Sequence, residues 1–545
     1  MKNTKIFLAA ACSGLLFAAC ADLDQEPLSN VVTQAQKAQV VADDPEMVSA
    51  SVNAVPDMVK AYMNTFGTHQ DYGWPSMMLM LDSRGQDMPS ALGGYQWYTA
   101  ALEYSDFGGR YYDNLYYWYT NYNLIRSANA VIGVIDPATE DNESQYFRAQ
   151  ALAYRAWAYF NLTQMYAWTY AKNPNDLSVP LVLDTNMDET ASNGCPRATV
   201  AEVYDQVFAD LDETIALLEK AEAAGVNRKS MAASGNLEKT YFNLTAAYAM
   251  RARAHLFRAT DADYTACVSD CEKALELATA EGLHPYSIND LAAPRFNDIT
   301  DPSYILGIYY DPSSSAARSI ASFASFMSAW ISGYADKGFF RCISKTLYAS
   351  IPDSDVRKGW WLNEDANAPV TLPAPYATKI SSANIAWTPY AQIKFGAYNN
   401  DPTISSYATD LPLIRVEEVY LMLAEAQGYA QGASVGAQTL VKFLNEFRDG
   451  SFKYNAASAD ELRDEIWKQR RIELWGEGFA MWDILRLQKP VNRVGAGYES
   501  TLVFNISPNN TVLLFDIPQS EAQRNPQIVS PSRGSEIPTP VADVN

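Results

Sequence analysis

Histidine is nearly absent from this chain: three in 545 residues, His69, His255 and His284. They lie far apart and none sits in a zinc-type spacing, so a histidine-rich metal site is not expected. Cysteine is scarce as well. Beyond residue 20 only Cys195, Cys267, Cys271 and Cys342 occur, with no dense disulfide framework in their spacing. Positive charge is in deficit, with 41 Lys and Arg against 63 Asp and Glu and a formal charge of −22. Such a surface repels phosphate backbones, which makes nucleic acid an unexpected partner, and it disfavours a basic-patch grip on anionic lipid. Strand-like alternation is rare. No nucleophile or metal motif stands out, so no cofactor and no catalytic residue is expected, although 63 acidic residues could always supply a carboxylate pair.

The greasy stretch of residues 6–19 is shorter than the about 20 residues that span a bilayer. Lys2 and Lys5 precede it and Ala18 and Ala19 close it, the order of a secretory signal. The run Leu16-Phe17-Ala18-Ala19-Cys20 resembles the bacterial lipobox. In that pattern cleavage leaves Cys20 first, and its thiol and amine are acylated. Several acyl chains hold a protein stably at a membrane, where one short chain gives only marginal binding. Residues 20–46 then read as an acidic tether. Loss of Lys2 and Lys5 with the signal takes the formal charge from −22 to −24.

What the chain has in abundance is helical periodicity and aromatic side chains, with 34 tyrosines and 12 tryptophans. In TVAEVYDQVFADLDETIALLEKA, Val200, Val203, Val207, Leu211, Thr214 and Leu218 recur at three-four spacing and form one buried stripe. Similar patterns recur near 47–65, 114–135, 144–168, 238–258, 263–280, 415–431, 434–448 and 459–475. Ser458 and Glu461 predict a capping box at the last of these. DYTACVSDCEKALEL resembles the second helix of a tetratricopeptide repeat, with Cys267 and Cys271 at interlocking positions, so both are expected to be packing residues. The predicted fold is mainly α, a helical scaffold with tetratricopeptide-like pairs and long irregular inserted loops. Its expected divisions are residues 47–310 and 311–545. Irregular aromatic-rich segments span 66–98 and about 282–410, and loops of that length inside a compact fold are usually functional.

Several blocks carry a wider resemblance: YFRAQALAYRAWAYFNLTQMYA followed by VPLVLD, RATVAEVYDQVFADLDETIALL, LIRVEEVYLMLAEAQ, KQRRIELWGEGFAMWDILR and IPQSEAQRNP. In their order, and with the lipobox and the following DLDQEP, they resemble the SusD/RagB family of Bacteroidetes outer-membrane lipoproteins over nearly the whole chain. The resemblance implies a non-catalytic nutrient receptor on the cell surface, anchored in the outer membrane through Cys20. Its implied partners are an oligo- or polysaccharide and a SusC-like TonB-dependent transporter. Beside that stands the physical reading of KQRRIELWGEGFAMWDILR. Ile472, Leu474, Trp475, Phe479, Trp482 and Leu485 read as core around a break at Gly476 and Gly478, and Arg470, Arg471, Glu473 and Asp483 as a buried ion network. Glu473 with Glu477 is the competing catalytic pair. IPQSEAQRNP reads as a terminal cap on an extended path fixed by Pro518 and Pro526.

A sugar offers C–H faces to flat aromatic rings and hydroxyl edges to polar groups. The 66–98 segment supplies Trp74, Asp82, Arg84, Asp87, Trp97 and Tyr98, and the middle region supplies Tyr310, Trp330 and Tyr334. In the starch-binding family member that the chain resembles in outline, an arginine and aromatics of an early loop meet aromatics of the middle region. By region alone, the resemblance implies such a meeting here for Arg84, Trp97, Tyr310 and Trp330. A peptide receptor of the same family, a tetratricopeptide-type scaffold and a two-carboxylate glycosidase are the alternatives.

Overall fold

The computed structural model describes residues 46–62, 66–382 and 385–544. The signal, Cys20 and nearly all of the tether lie outside these residues. Eighteen α-helices and three two-stranded sheets make up the described chain, and the architecture is mainly α. No helix among the described residues is long and apolar enough to cross a membrane.

The long helices are α1 (Glu46–Met58), α2 (Trp74–Arg84), α3 (Tyr112–Ile132), α4 (Asn142–Tyr166), α5 (Val200–Ala223), α6 (Leu244–Arg258), α7 (Asp261–Ala280), α8 (Val416–Ala430), α9 (Ala433–Phe447) and α10 (Ala459–Glu473). From α3 to α9 each packs chiefly on its neighbours in that order, so the helices form a ribbon of pairs. Local signals start them. Thr199 and Glu202 close a reciprocal box on α5, Thr260 and Asp263 another on α7, and Asp141 caps α4. The stripe expected on α5, from Val200 to Leu218, is buried. Helix α4 is covered all round. Its Arg155 is fully paired, to Asp210 at 2.7 and 2.9 Å and to Asp184 at 2.6 Å.

Cys267 and Cys271 are buried in α7 with their Sγ atoms 3.9 Å apart, and burial pushes the Cys271 thiol up. They pack, as expected of a repeat helix.

The ribbon is interrupted. Helix α7 packs directly on α8, although about 135 residues separate them in sequence. Strands β1 (Tyr304–Ile308) and β2 (Leu411–Arg415) pair antiparallel, with Tyr304 opposite Arg415 and Ile308 opposite Leu411. That pairing pins both ends of an excursion, residues 309–410, beside the junction. The excursion holds a small core of its own around Trp330, Phe340, Leu362, Tyr376, Trp387 and Ile393. The main core runs from α1 to the C-terminal segment and includes residues on both sides of position 310.

Candidate functional site

The glycine break after α10 is real. Gly476 and Gly478 take φ of +83° and +87°, and a Cβ at Gly478 would lie 2.9 Å from the Met78 backbone. The turn carries Glu473 and Glu477 into a sealed ion cluster. Glu473 accepts from Arg448 at 2.8 and 2.9 Å and is paired with Arg357 and Arg415. Glu477 binds Arg415 at 2.8 Å and Lys394 at 2.7 Å. The arginines hold the Glu473 carboxyl well below its usual range despite burial, and burial brings Lys394 down to about 8. Asp355 and Glu417 complete the set, so four carboxylates meet four cations, which is the structural reading of this block. The network differs in membership from the expected one: Arg470 pairs with Asp483, and Arg471 leaves the cluster for Asp87.

Most of the sequence-predicted sugar contacts are inside the protein, and this corrects the expectation. Arg84 is fully buried, pairs with Asp106, donates to the Val512 carbonyl and lies over the Tyr104 and Phe515 rings. Asp82 accepts from the backbone of Gly478 and Ala480, and burial pushes it up to about 7. Asp87 is held by Arg471 and Ser344. Trp74 packs edge-on against Trp157 at 4.8 Å. Tyr98 is buried and bonded to Tyr72 and Ser76. Tyr310 is buried just beyond the end of the β1–β2 pairing, its N–H on Asp410. Trp330 has no exposed surface. Its Nε1 donates to the Phe395 carbonyl and its ring meets Trp387 at 4.8 Å. None of these seven presents a ring face or a free polar edge to a ligand.

Trp97 is different. It sits half-buried between two buried pegs, Gln96 and Tyr98. Gln96 is gripped by Arg341, and Gln70 donates to the Trp97 carbonyl. These anchors hold Trp97 at φ +58°, a backbone state costly for a bulky residue and typical of functional positions. Its indole stacks on His69 at 4.7 Å with 15° between planes. Tyr334 lies edge-on at 6.3 Å, bonds the His69 ring and is itself backed by Phe326 at 4.6 Å. Tyr95, 55% exposed, lies 5.8 Å from Tyr334 and 6.1 Å from Phe339. A Cβ at Gly93 would come within 2.7 Å of the Phe339 ring, which would have to shift to admit it.

The 66–98 segment and the excursion therefore do meet, through Trp97 and Tyr334. His69, Tyr95 and Phe339 were not anticipated. Tyr95 lies in a turn two residues before Trp97 and joins the group through Tyr334 and Phe339, contacts that no local pattern announces. Residues of these two segments and of the C-terminal stretch at Ala496–Glu499 line a hollow of about 480 Å³, with Phe340 and Tyr390 as its rings and Ser90, Lys345, Glu364, Thr388 and Glu499 as its polar groups. Flat rings next to hydroxyl partners can bind a sugar without breaking a bond.

Comparison with known proteins gives two family matches. A family described as starch-binding and associating with the outer membrane matches residues 81–256, and the SusD family matches residues 363–532. A curated SusD-like protein of Formosa agariphila is 24% identical over 405 residues, 69% of this chain and 73% of its own. Among solved structures, a SusD-like carbohydrate-binding protein from Bacteroides vulgatus superposes with a TM-score of 0.69 at 22% identity, covering 89% of this chain and 98% of its own. A laminarin-binding SusD-like protein gives 0.60 at 18% identity, with 89% and 98% covered.

Proposed function

The chain belongs to the SusD family, and from that premise we propose that it is a cell-surface receptor that captures an oligo- or polysaccharide on the Trp97 platform. In this reading Cys20 is acylated and holds the protein at the outer membrane, and a SusC-like TonB-dependent transporter takes up the cargo. The chain divides functionally as its sequence does, into residues 47–310 that build the first half of the scaffold and 311–545 that add ligand segments and further pairs. Binding needs no catalyst: the receptor hands on an intact glycan.

The observation that carries the proposal is the stacked His69–Trp97 pair with exposed Tyr95 beside it, held in a strained backbone by buried anchors. Ring faces cover C–H surface, and pre-set geometry lowers the ordering cost of binding. The laminarin-binding neighbour supports laminarin as the first ligand to try. Affinity electrophoresis through laminarin and a panel of other glycans tests it. The parent protein is expected to be retarded by at least one glycan and to leave it uncleaved. Trp97→Ala and Tyr95→Ala should each weaken retardation about three- to tenfold, from the 0.5–1.5 kcal/mol of a ring contact, with far-ultraviolet circular dichroism unchanged. Glycan cleavage would overturn the receptor reading. Equal retardation of parent and variants would remove the site from this face.

A further inference from the structure

A second aromatic face runs along α3, and its segment 66–70 adjoins the first: His69 belongs to the Trp97 stack and Phe66 to this face. The Phe66 ring meets Tyr112 at 5.7 Å, Tyr116 at 5.4 Å and Tyr119 at 5.9 Å. Tyr111 and Tyr112 are 46% and 54% exposed, an unusual amount of bare ring on one short stretch. Tyr112, Tyr119 and Arg126 are spaced by seven, so they share one side of the helix over about 21 Å at about 1.5 Å per residue. That is room for several sugar units in line.

At its far end this stripe enters the hollow between α3, the short helix Met187–Asn193 and the C-terminal segment, about 630 Å³ in volume. Tyr119 and Tyr122 form one wall, and their hydroxyls are turned to Ser520 and the Pro180 carbonyl, which fixes the rings. Arg126 and Arg524 line the same hollow. Both are exposed. Among the described arginines only Arg126, Arg318 and Arg524 make no side-chain hydrogen bond or ion pair, and two of those three are here. Other arginines are tied to carboxylates or carbonyls, so leaving two free at one place in a chain of formal charge −22 needs a reason. Asp188 and Glu521 also line the hollow. Glu521 accepts from Asn525 at 3.0 Å, which leaves carboxylate oxygens to receive sugar hydroxyls.

We infer that this hollow is a second glycan subsite, specific for sugars that carry a carboxylate or a sulfate ester. Arg126 and Arg524 pair with the acidic group and Tyr119 and Tyr122 cover the ring. The inference goes beyond the Trp97 platform and stands without it, because the hollow has its own rings and its own charges.

The test is affinity electrophoresis in polygalacturonate, its methyl-esterified form, dextran sulfate and poly-L-glutamate. The parent should be retarded by polygalacturonate or dextran sulfate, the stronger one naming the acidic group, and less by the ester. Arg126→Gln with Arg524→Gln should lose about tenfold or more of that retardation, as expected for charge-assisted bonds. These exposed changes leave the fold intact, and laminarin retardation, which reads the first platform, should not move. Trp97→Ala should keep the acidic retardation. Failure of the first platform alone would therefore show in laminarin only. The subsite is overturned if neither acidic polysaccharide retards the parent, if the double variant behaves as the parent, or if poly-L-glutamate retards it equally, since charge without sugar would then suffice.

Discussion

The helical ribbon and the excursion at residues 309–410 are built on different rules. In the ribbon, apolar stripes on helices of 15 to 25 residues meet their neighbours, and the side chains that pack are those a periodic pattern would choose. In the excursion the longest helix has eight residues, and order comes from tryptophans wedged into a small private core and from side chains bonded to distant backbone. Aromatic-rich irregular sequence is thus no mark of exposure: Trp330, Trp360 and Trp361 are as deeply buried as anything in α4. The excursion brings aromatic side chains to the surface where it meets the early loop, beside Tyr95.

The strongest way to break this contrast is to cut the joint that ties the two regions. Arg357 and Lys394 come from the excursion, whereas Arg415, Glu417, Arg448 and Glu473 belong to the ribbon, and they share one sealed cluster. Glu473→Ala removes the one carboxylate shared by three buried arginines, leaving Asp355, Glu417 and Glu477 to hold them with one positive charge uncompensated, and should cost about 3–5 kcal/mol, read as a lower urea midpoint. The two regions should still unfold in one transition. Two separated transitions would mean that the excursion is an independent unit. The pH dependence has a fixed sign. The Glu473 carboxyl lies below its unfolded value, near 4.5, so its contribution is complete above that pH and fades as pH falls through and below it. The gap between parent and Glu473→Gln should narrow from pH 6 to pH 3.

A smaller and more local break is Trp330→Ala. Removing a buried indole from a small core should cost about 3 kcal/mol, with the cavity confined to the excursion. Limited proteolysis should then cut within 309–410 while helical circular dichroism stays near the parent value. Helix loss on the same scale would show that the private core supports the ribbon as well.

These effects explain what could be read from the sequence. The helices, their pairing and the packing role of Cys267 and Cys271 follow from neighbours within about one turn or one repeat. The buried partners do not. Arg84 finds Val512 428 positions away, and Asp82 caps a turn 396 positions away. No local pattern says that an Asp-Ser-Arg on an apolar helix will be satisfied there and not by a sugar. At the site, Trp97 and Tyr334 were within reach of sequence reading, but His69 and Phe339 depend on the same long-range closure. The C-terminal block shows the converse. Pro518 is itself extended, with φ −51° and ψ 134°, but it stands at the N-cap of the short helix Gln519–Arg524, so the path beyond it is helical.

The weakest perturbation sharpens the point. Ser458 accepts from the Glu461 N–H at 3.1 Å, as a cap should, but Glu461 reaches back to the Ala457 N–H and not to Ser458. Thr199 and Glu202 complete the reciprocal form on α5. Ser458→Ala should cost about 1 kcal/mol, as caps usually do, and Thr199→Ala at least as much, since it opens a closed box; both are measurable as small shifts in urea midpoint. The Ser458 cap is therefore worth about a third or less of a buried carboxylate whose partners, Arg357, Arg415 and Arg448, no local pattern named. If Ser458→Ala proved as damaging as Glu473→Ala, local sequence would be governing stability as well as secondary structure, and the division between the two regions would lose its energetic basis.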